Sequence, residues 1–316
     1  MLDILRFIFN TDFAFSVLRV TTPILFAALA SVVAERSGAS NIALEGIMLF
    51  AALAGSLGSG FAGGSVFCGF IAALAGGLII TALLIYFGLY LKTDIILTGI
   101  ALNMLASGGT VFIMFALTGD KGSTANIGAG AFPAITIPLL RDIPIIGAVL
   151  SGQNLLTYLA FLAVVVVWAL LFKTRLGVHI RAAGENADAA ASVGIPVRRT
   201  RCIALVISGI LASLGGVFLS MGYMSGFSKG MVSGRGFIAL AAAAMGQLSP
   251  VPAMLASLVF GCFDALSNLL AALRIPDEFV KMLPYLATVF GLVVFSAYRI
   301  WRLKQEKIAA MGRQAA

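Results

Sequence analysis

Charged residues are scarce in this sequence: only 11% of its 316 residues are Asp, Glu, Lys or Arg, whereas 60% are hydrophobic. A soluble domain carries about 25% charged residues, because its surface must be wetted by water. The shortage therefore excludes a cytosolic enzyme, a nucleic-acid-binding protein and a disordered regulator. The composition predicts an all-α, polytopic membrane protein whose main surroundings are the lipid bilayer.

Cysteine and histidine are also rare, with three cysteines (Cys68, Cys202, Cys262) and one histidine, His179. The cysteines stand far apart and form no CxxC or Cys/His spacing, which argues against a disulfide framework or a metal site. Neither a GxxxxGK[ST] phosphate loop nor a Ser/His/Asp set occurs in the chain. The sequence thus predicts a subunit that is not itself an enzyme and has no cofactor.

Long apolar runs, in contrast, are plentiful. A helix that crosses a membrane needs about 20 apolar residues. We predict one transmembrane domain over residues 1–316, with about nine spans (eight to ten). The predicted spans are 13–34, 42–60, 66–87, 95–117, 154–172, 202–222, 236–248, 252–272 and 280–298.

The basic residues predict which side of the membrane each loop occupies. Segment 173–201 holds six Lys or Arg and the tail 299–316 holds five, together 11 of the 21 in the chain. Cytoplasmic loops are enriched in these residues, so both segments are expected inside. Counting back places the proline-bearing loop 118–153 and the N-terminus outside. The apolar character of that loop is typical of a packed cap, although a docking surface stays open.

Two short stretches resemble each other. "SGASNIAL" at 37–44 aligns with "SGRGFIAL" at 233–240 at a constant offset of 196 residues. On the predicted topology the first copy lies near the inside and the second near the outside. Inverted repeats with broken helices of this kind build many transporters. Chance is the alternative, because Gly, Ala, Ile and Leu dominate the composition.

Several polar side chains fall within the predicted spans, where they are costly unless they face a cavity or one another. Many of them are four residues apart, which places them on one helix face. They either line a path for a polar solute or hydrogen-bond between helices as structural contacts. Lys229 and Arg235 flank one of these spans and could pair with an acid. The candidates for the substrate path are Asn41, Glu45, Asn103, Ser107, Gln247, Asp264 and Asn268.

The basic loop 173–201 contains a short predicted helix over residues 187–193. Asn186 is a good N-cap for this helix, Asp188 lies at the positive end of its dipole, and Gly194 ends it. A short rigid helix on a cytoplasmic loop suits docking into a groove of a soluble partner. The alternative is a positive loop that only fixes the topology.

"RAAGENADAAASVGI" at 181–195 resembles the coupling-loop motif of the ribose, nucleoside and branched-chain amino acid permeases of ABC importers. "ERSGASNIALEGIML" at 35–49 and "TDIILTGIALNMLA" at 93–106 resemble two further signatures of that group, and the combination is most similar to its nucleoside subgroup. One departure is the alanine run 189–191, where many members carry a larger or charged residue.

The resemblance implies a multi-pass permease in a bacterial inner membrane with a cytoplasmic C-terminus. Its implied partners are ABC ATPase subunits, a second permease and an external substrate-binding lipoprotein. The residues carried over to ATPase coupling are Arg181, Gly184, Glu185, Asn186, Asp188 and Gly194. Of the path candidates, Asn41, Glu45 and Asn103 match the family's translocation side.

The leading hypothesis is therefore ATP-driven import of nucleosides, or of a related simple sugar, by alternating access. An ion-coupled secondary transporter that uses Glu45 and Asp264 as ion sites is the alternative. A purely scaffolding membrane subunit is a third interpretation.

Overall fold

The computed structural model describes residues 11–136 and 146–272, together with Leu286, Gly291 and Val293. The predicted span 280–298, apart from those three positions, lies outside the described residues, as do residues 1–10 and the tail 299–316. In chain order the helices are α1 (Thr11–Arg36), α2 (Leu44–Phe61), α3 (Val66–Ile85), α4 (Ile95–Thr118), α5 (Ile146–Leu150), α6 (Leu155–Lys173), α7 (Arg175–Glu185), α8 (Ala187–Ser192), α9 (Val197–Val217), α10 (Arg235–Met245) and α11 (Pro250–Ala272).

Seven helices of the described part of the chain are long and apolar enough to cross a membrane: α1, α2, α3, α4, α6, α9 and α11. Each coincides with a predicted span to within a few residues, which confirms the all-α membrane architecture. Two of them are extended by a π-helical turn, α3 by Tyr86–Tyr90 and α9 by Phe218–Tyr223.

The predicted span 236–248 is wrong. Its helix, α10, has 11 residues, and at about 1.5 Å per residue it covers only half of the apolar thickness. Gly234 starts it from a left-handed conformation at φ 79°, and Gln247 and Leu248 end it with positive φ values of 51° and 54°. The basic loop also differs from expectation, because residues 175–185 form the amphipathic helix α7.

Helix α1 lies at the centre of the bundle, and every residue from Val20 to Ala34 is buried. It packs against α9, α10, α11 and α6. Small residues allow this close approach: Gly261 of α11 lies directly against Thr21 of α1. Helix α4, by contrast, buries little of its surface, so most of it faces lipid or another subunit.

The two ends of the bundle differ in character. The end of α1, helices α7 and α8 and the start of α9 form what we call the basic end, where Arg201 Nε donates to the Ser37 carbonyl at 3.1 Å. At the opposite end, a two-stranded hairpin (β1, Ala134–Ile135; β2, Gln153–Asn154) covers the helices. Thr124 there exchanges backbone and side-chain hydrogen bonds with Phe227, so the described part of loop 118–153 packs as a cap.

Candidate translocation route and coupling segment

The chain is broken between α1 and α2, at residues 37–43, and again before α10. The glycines that align in the two repeat copies, Gly38 and Gly234, both adopt left-handed backbone at φ 72° and 79°. That region favours glycine because a Cβ would clash there. The two glycines differ in role, because Gly38 ends α1, where the Ala39 amide donates back to the Ala34 carbonyl, whereas Gly234 precedes the first residue of α10. The start of α10 meets the start of α2 at Glu45.

The Glu45 carboxylate caps α10 from a different helix. Its Oε1 accepts from the Gly234 amide at 2.8 Å and its Oε2 accepts from the Gly236 amide at 2.9 Å. The first amides of a helix have no partner within that helix, and its N-terminus carries partial positive charge. A Cβ on Gly236 would lie 2.6 Å from the Glu45 amide nitrogen. Only glycine therefore allows α2 and α10 to approach this closely.

An ion pair lies next to this cap. Arg235 donates to the Asp264 carboxylate through Nε at 3.0 Å and through Nη2 at 2.9 Å, and their side chains are only 14% and 12% exposed. Arg235 Nη1 also donates to the carbonyls of Met231 and Val232. The expected pairing of Arg235 with an acid is thus present, and it ties α10 to α11. We call Glu45, Gly234, Arg235, Gly236 and Asp264 the interior junction.

Two predicted asparagines adjoin the junction. Asn103 donates from Nδ2 to the Ile42 carbonyl and accepts the Gly46 amide at Oδ1, both at 2.8 Å, so it holds the broken segment against α4. Asn41 is fully buried and donates to the Ser208 hydroxyl at 2.9 Å. The Oδ1 atom of Asn41 has no hydrogen-bond partner. Asn41 therefore retains an unused acceptor, whereas both groups of the Asn103 amide are used.

The remaining path candidates lie elsewhere. Ser107 is exposed on the outer side of α4. Gln247 is at the basic end, where Arg36 donates to its carbonyl and to that of Leu248. Asn268 lies one turn beyond Asp264 on α11 and lines a cavity of about 320 Å³ at the opposite end. Four of the predicted path residues thus lie in or beside the interior junction: Asn41, Glu45, Asn103 and Asp264. The other three lie away from it.

Sequence reasoning missed two residues of that cavity, Arg19 and Tyr223. The Arg19 guanidinium lies 4.5 Å from the centre of the Tyr223 ring and donates to the Tyr223 carbonyl at 2.9 Å. A smaller space of about 10 Å³ is lined by Arg19, Tyr223 and Arg235. Arg19 and Tyr223 therefore stand between the cavity and the interior junction. The sequence did contain a signal for this site, because Arg19 is a charged residue within the predicted span 13–34.

The coupling segment, residues 181–195, has the local structure that its residues predict. The Asn186 side chain accepts the amides of Asp188 and Ala189 at 3.1 and 3.0 Å, which is the expected N-cap of α8. Gly194 ends the segment in left-handed backbone at φ 86°. Glu185 and Asp188 are exposed on its surface, whereas the Arg181 guanidinium lies 5.1 Å from the centre of the Phe172 ring.

The coupling segment packs directly on the broken segment 37–43. A Cβ on Gly184 would overlap the Arg36 carbonyl oxygen and lie 3.0 Å from the Gly38 amide nitrogen. Arg201 bridges the same place, because it donates to the carbonyls of both Ser37 and Ala183. A shift of the segment is thereby passed to residues 37–43, only a few positions from Glu45.

Membrane-length helices around a charged junction formed by two broken helices define this chain as a multi-pass membrane transport protein. Residues 13–294 match the family model described as "Branched-chain amino acid transport system / permease component". The chain belongs to this permease family.

The chain is similar to two curated permeases over most of its length. The nucleoside ABC transporter permease protein NupC of Lactococcus lactis subsp. cremoris is 34% identical over 87% of this chain and 89% of its own. The guanosine ABC transporter permease protein NupQ of Bacillus subtilis is 35% identical over 86% of this chain and 88% of its own. The fold is similar to a chain of PsaBC from Streptococcus pneumoniae in complex with Fab, with a TM-score of 0.52 and 13% identity over 94% of this chain and 96% of that one.

Proposed function

We propose that this chain is the permease subunit of an ATP-driven importer of nucleosides. The observation that carries the proposal is the similarity to NupC and NupQ, two permeases named for nucleoside and guanosine transport, at 34% and 35% identity over nearly the whole chain. The buried junction adds geometric support, because ionisable side chains at membrane depth are costly and are typical of proteins that move solutes across the membrane. A related simple sugar is the second candidate substrate.

The basic end faces the cytoplasm of a bacterial inner membrane in this proposal. Lys173, Arg175, Arg181 and the arginines at the start of α9 all lie there, as the positive-inside rule requires. The tail 299–316, with five basic residues, is on the same side. The opposite end then faces outward, and its packed cap is the surface on which an external substrate-binding lipoprotein docks.

Energy enters through the coupling segment. The subunit holds no ATPase of its own, so ABC ATPase subunits dock on the exposed side of α8, and a second permease completes the pore. Closure of the ATPase moves residues 181–195 and, through the contact of Gly184 with Arg36 and Gly38, the broken segment. The hydrogen bonds from the start of α10 to Glu45 then change. The resulting shift of α10 opens the path to one end of the bundle and closes it to the other.

The ion-coupled alternative is less well supported by the geometry. Asp264 is engaged by Arg235, and both oxygens of Glu45 accept helix amides. An ion at either acid would have to displace these partners, whereas a shift of α10 uses them directly.

Uptake by the reconstituted complex tests the function. The permease, its partner permease, ATPase and receptor are placed in proteoliposomes and supplied with labelled guanosine, uridine or ribose. We expect uptake of a nucleoside that requires ATP and receptor and that is insensitive to a protonophore. Uptake that persists without ATP and collapses with the protonophore would instead establish the ion-coupled transporter.

Gly184→Ala tests the coupling segment in the same system. The added methyl group collides with the Arg36 carbonyl, so the segment cannot seat on residues 37–38. ATP hydrolysis is expected to continue while uptake falls about tenfold, within the usual range of energetic coupling between sites. Gly108→Ala adds the same methyl group within α4, where it would meet no neighbouring atom within 4 Å, so it is the matched control and should behave as wild type. Normal uptake by Gly184→Ala would show that coupling runs elsewhere.

A further inference from the structure

The cavity at the opposite end has the size of a small-ligand site. Its volume of about 320 Å³ lies at the lower limit of the range of about 300–1,000 Å³ that small-molecule sites occupy. We call it the vestibule and define it by Asp12, Ser16, Arg19, Tyr223 and Asn268, which lie on the first turns of α1, at the end of α9's π-helical turn and on the last turns of α11. Three separate helices thus converge on one open space.

The vestibule combines flat surface with hydrogen-bonding groups. The Arg19 guanidinium stacked on the Tyr223 ring, 4.5 Å from its centre, forms a planar platform. Nucleobases stack on aromatic rings and on guanidinium planes. Ser16 and Asn268 supply the donors and acceptors that ribose hydroxyls require.

The charge of the vestibule indicates a neutral ligand. One carboxylate, on Asp12, offsets one guanidinium, on Arg19. Phosphate sites cluster cationic side chains to match the negative charge of the anion, and the described residues that line the vestibule carry no such excess. A nucleoside therefore suits it better than a nucleotide does.

The position of the vestibule favours an entry site over a structural void. Arg19, Val20 and Tyr223 line both the vestibule and the smaller space that Arg235 also lines. A ligand held in the vestibule would therefore lie beside residues that adjoin Arg235 of the interior junction.

We infer that the vestibule is an entry subsite for nucleosides, in which the base stacks on the Arg19–Tyr223 platform and the ribose hydroxyls bond to Ser16 and Asn268. The choice of ligand rests on the function proposed above.

Photolabelling of the purified importer complex, without receptor, tests the subsite. Azidoadenosine is the probe, guanosine the competitor, and mass spectrometry locates the label. We expect competed label on the lining of the vestibule. Tyr223→Leu removes the ring and should lower that label about tenfold, equivalent to about 1.4 kcal/mol. Tyr223→Phe keeps the ring and should label as wild type. Both variants retain the backbone carbonyl that Arg19 bonds, so their difference reports stacking.

Asn268→Ala supplies a second test should Tyr223→Leu fold poorly. The Asn268 side chain is exposed at the vestibule, and its loss should lower the label while Asn268→Gln preserves part of it. Competed label found only outside the vestibule, or label unchanged in both Tyr223→Leu and Asn268→Ala, would overturn the subsite. If the complex takes up nucleosides with ATP but the vestibule is not labelled, the subsite is contradicted and the proposed function is retained. If the vestibule is labelled but there is no ATP-driven uptake, the proposed function is contradicted and the subsite is retained.

Discussion

The interior junction and the vestibule are both polar, yet their side chains differ in burial and in hydrogen bonding. In the junction, Glu45, Arg235 and Asp264 are shielded from solvent and bonded to protein partners. In the vestibule, Ser16 and Asn268 are exposed at a cavity. Buried charges must be paired, because an unpaired charge in a medium of low dielectric constant costs several kcal/mol. The junction is therefore built to hold helices together, whereas the vestibule keeps capacity for a ligand.

This difference also separates two kinds of movement. A side chain in the vestibule can change partners with water or solute at little cost. The junction can change only if α2, α10 and α11 shift relative to one another, because Glu45 of α2 and Asp264 of α11 both bond the start of α10. Substrate contact and conformational switching are thus assigned to different residues.

The largest effect should come from breaking the ion pair of the junction. Arg235→Leu leaves Asp264 buried without its partner, so we expect a loss of about 3–5 kcal/mol in the free energy of unfolding. Thermal unfolding of the purified complex measures the loss. The double variant Arg235→Leu with Asp264→Leu removes both charges and should recover most of the stability. A single variant as stable as wild type would contradict the pairing.

Removing the Glu45 cap should have the next largest effect. Glu45→Ala deprives the start of α10 of its acceptor, and the loss of a partner by a buried donor costs about 1–3 kcal/mol. We expect lower thermal stability and loss of ATP-driven uptake. Glu45→Gln retains one acceptor oxygen and should fall between Ala and wild type. If Gln and Ala were equally stable and equally active, the cap would have no role in the switch.

The smallest changes in stability are expected from two asparagine variants, one in contact with the interior junction and one in the vestibule. Asn103→Ala removes two hydrogen bonds inside the bundle, so a loss of about 1–2 kcal/mol is expected. Asn268→Ala, at the exposed vestibule, should stay within about 0.5 kcal/mol of wild type. Unfolding curves of both variants measure the two losses in the free energy of unfolding. Equal destabilisation would erase the distinction between the two regions.

Much of the architecture could be predicted from the sequence, because hydropathy over about 20 residues and local capping chemistry depend only on neighbours in the chain. Seven spans and the Asn186 cap of α8 follow from such local signals. Helix α10 does not, since its apolar run of 13 residues predicted a short span, whereas the positive φ values at Gly234, Gln247 and Leu248 confine the helix to 11 residues.

The site was predictable only where the partners are close in sequence or chemically obliged to pair. Arg235 in an apolar setting required an acid, and Asp264 supplies it. The bond from Gly236 to Glu45 joins residues 191 positions apart, and no local pattern specifies it. Asp264 and Asn268 share a helix face, yet a single turn places one in the junction and the other in the vestibule.

The burial of α1 bears on how the protein is made. Translation delivers this helix to the bilayer before α9, α10 and α11, which later enclose it, have been synthesised. During that interval Thr21 and Thr22 would meet lipid, but their hydroxyls already donate to the carbonyls of Val17 and Leu18 at 2.7 and 2.9 Å. Such bonds within one helix satisfy polar groups without any neighbour. Helix α1, the most enclosed helix of the finished bundle, can therefore lie in the bilayer with these hydroxyls hydrogen-bonded before the helices that enclose it are made.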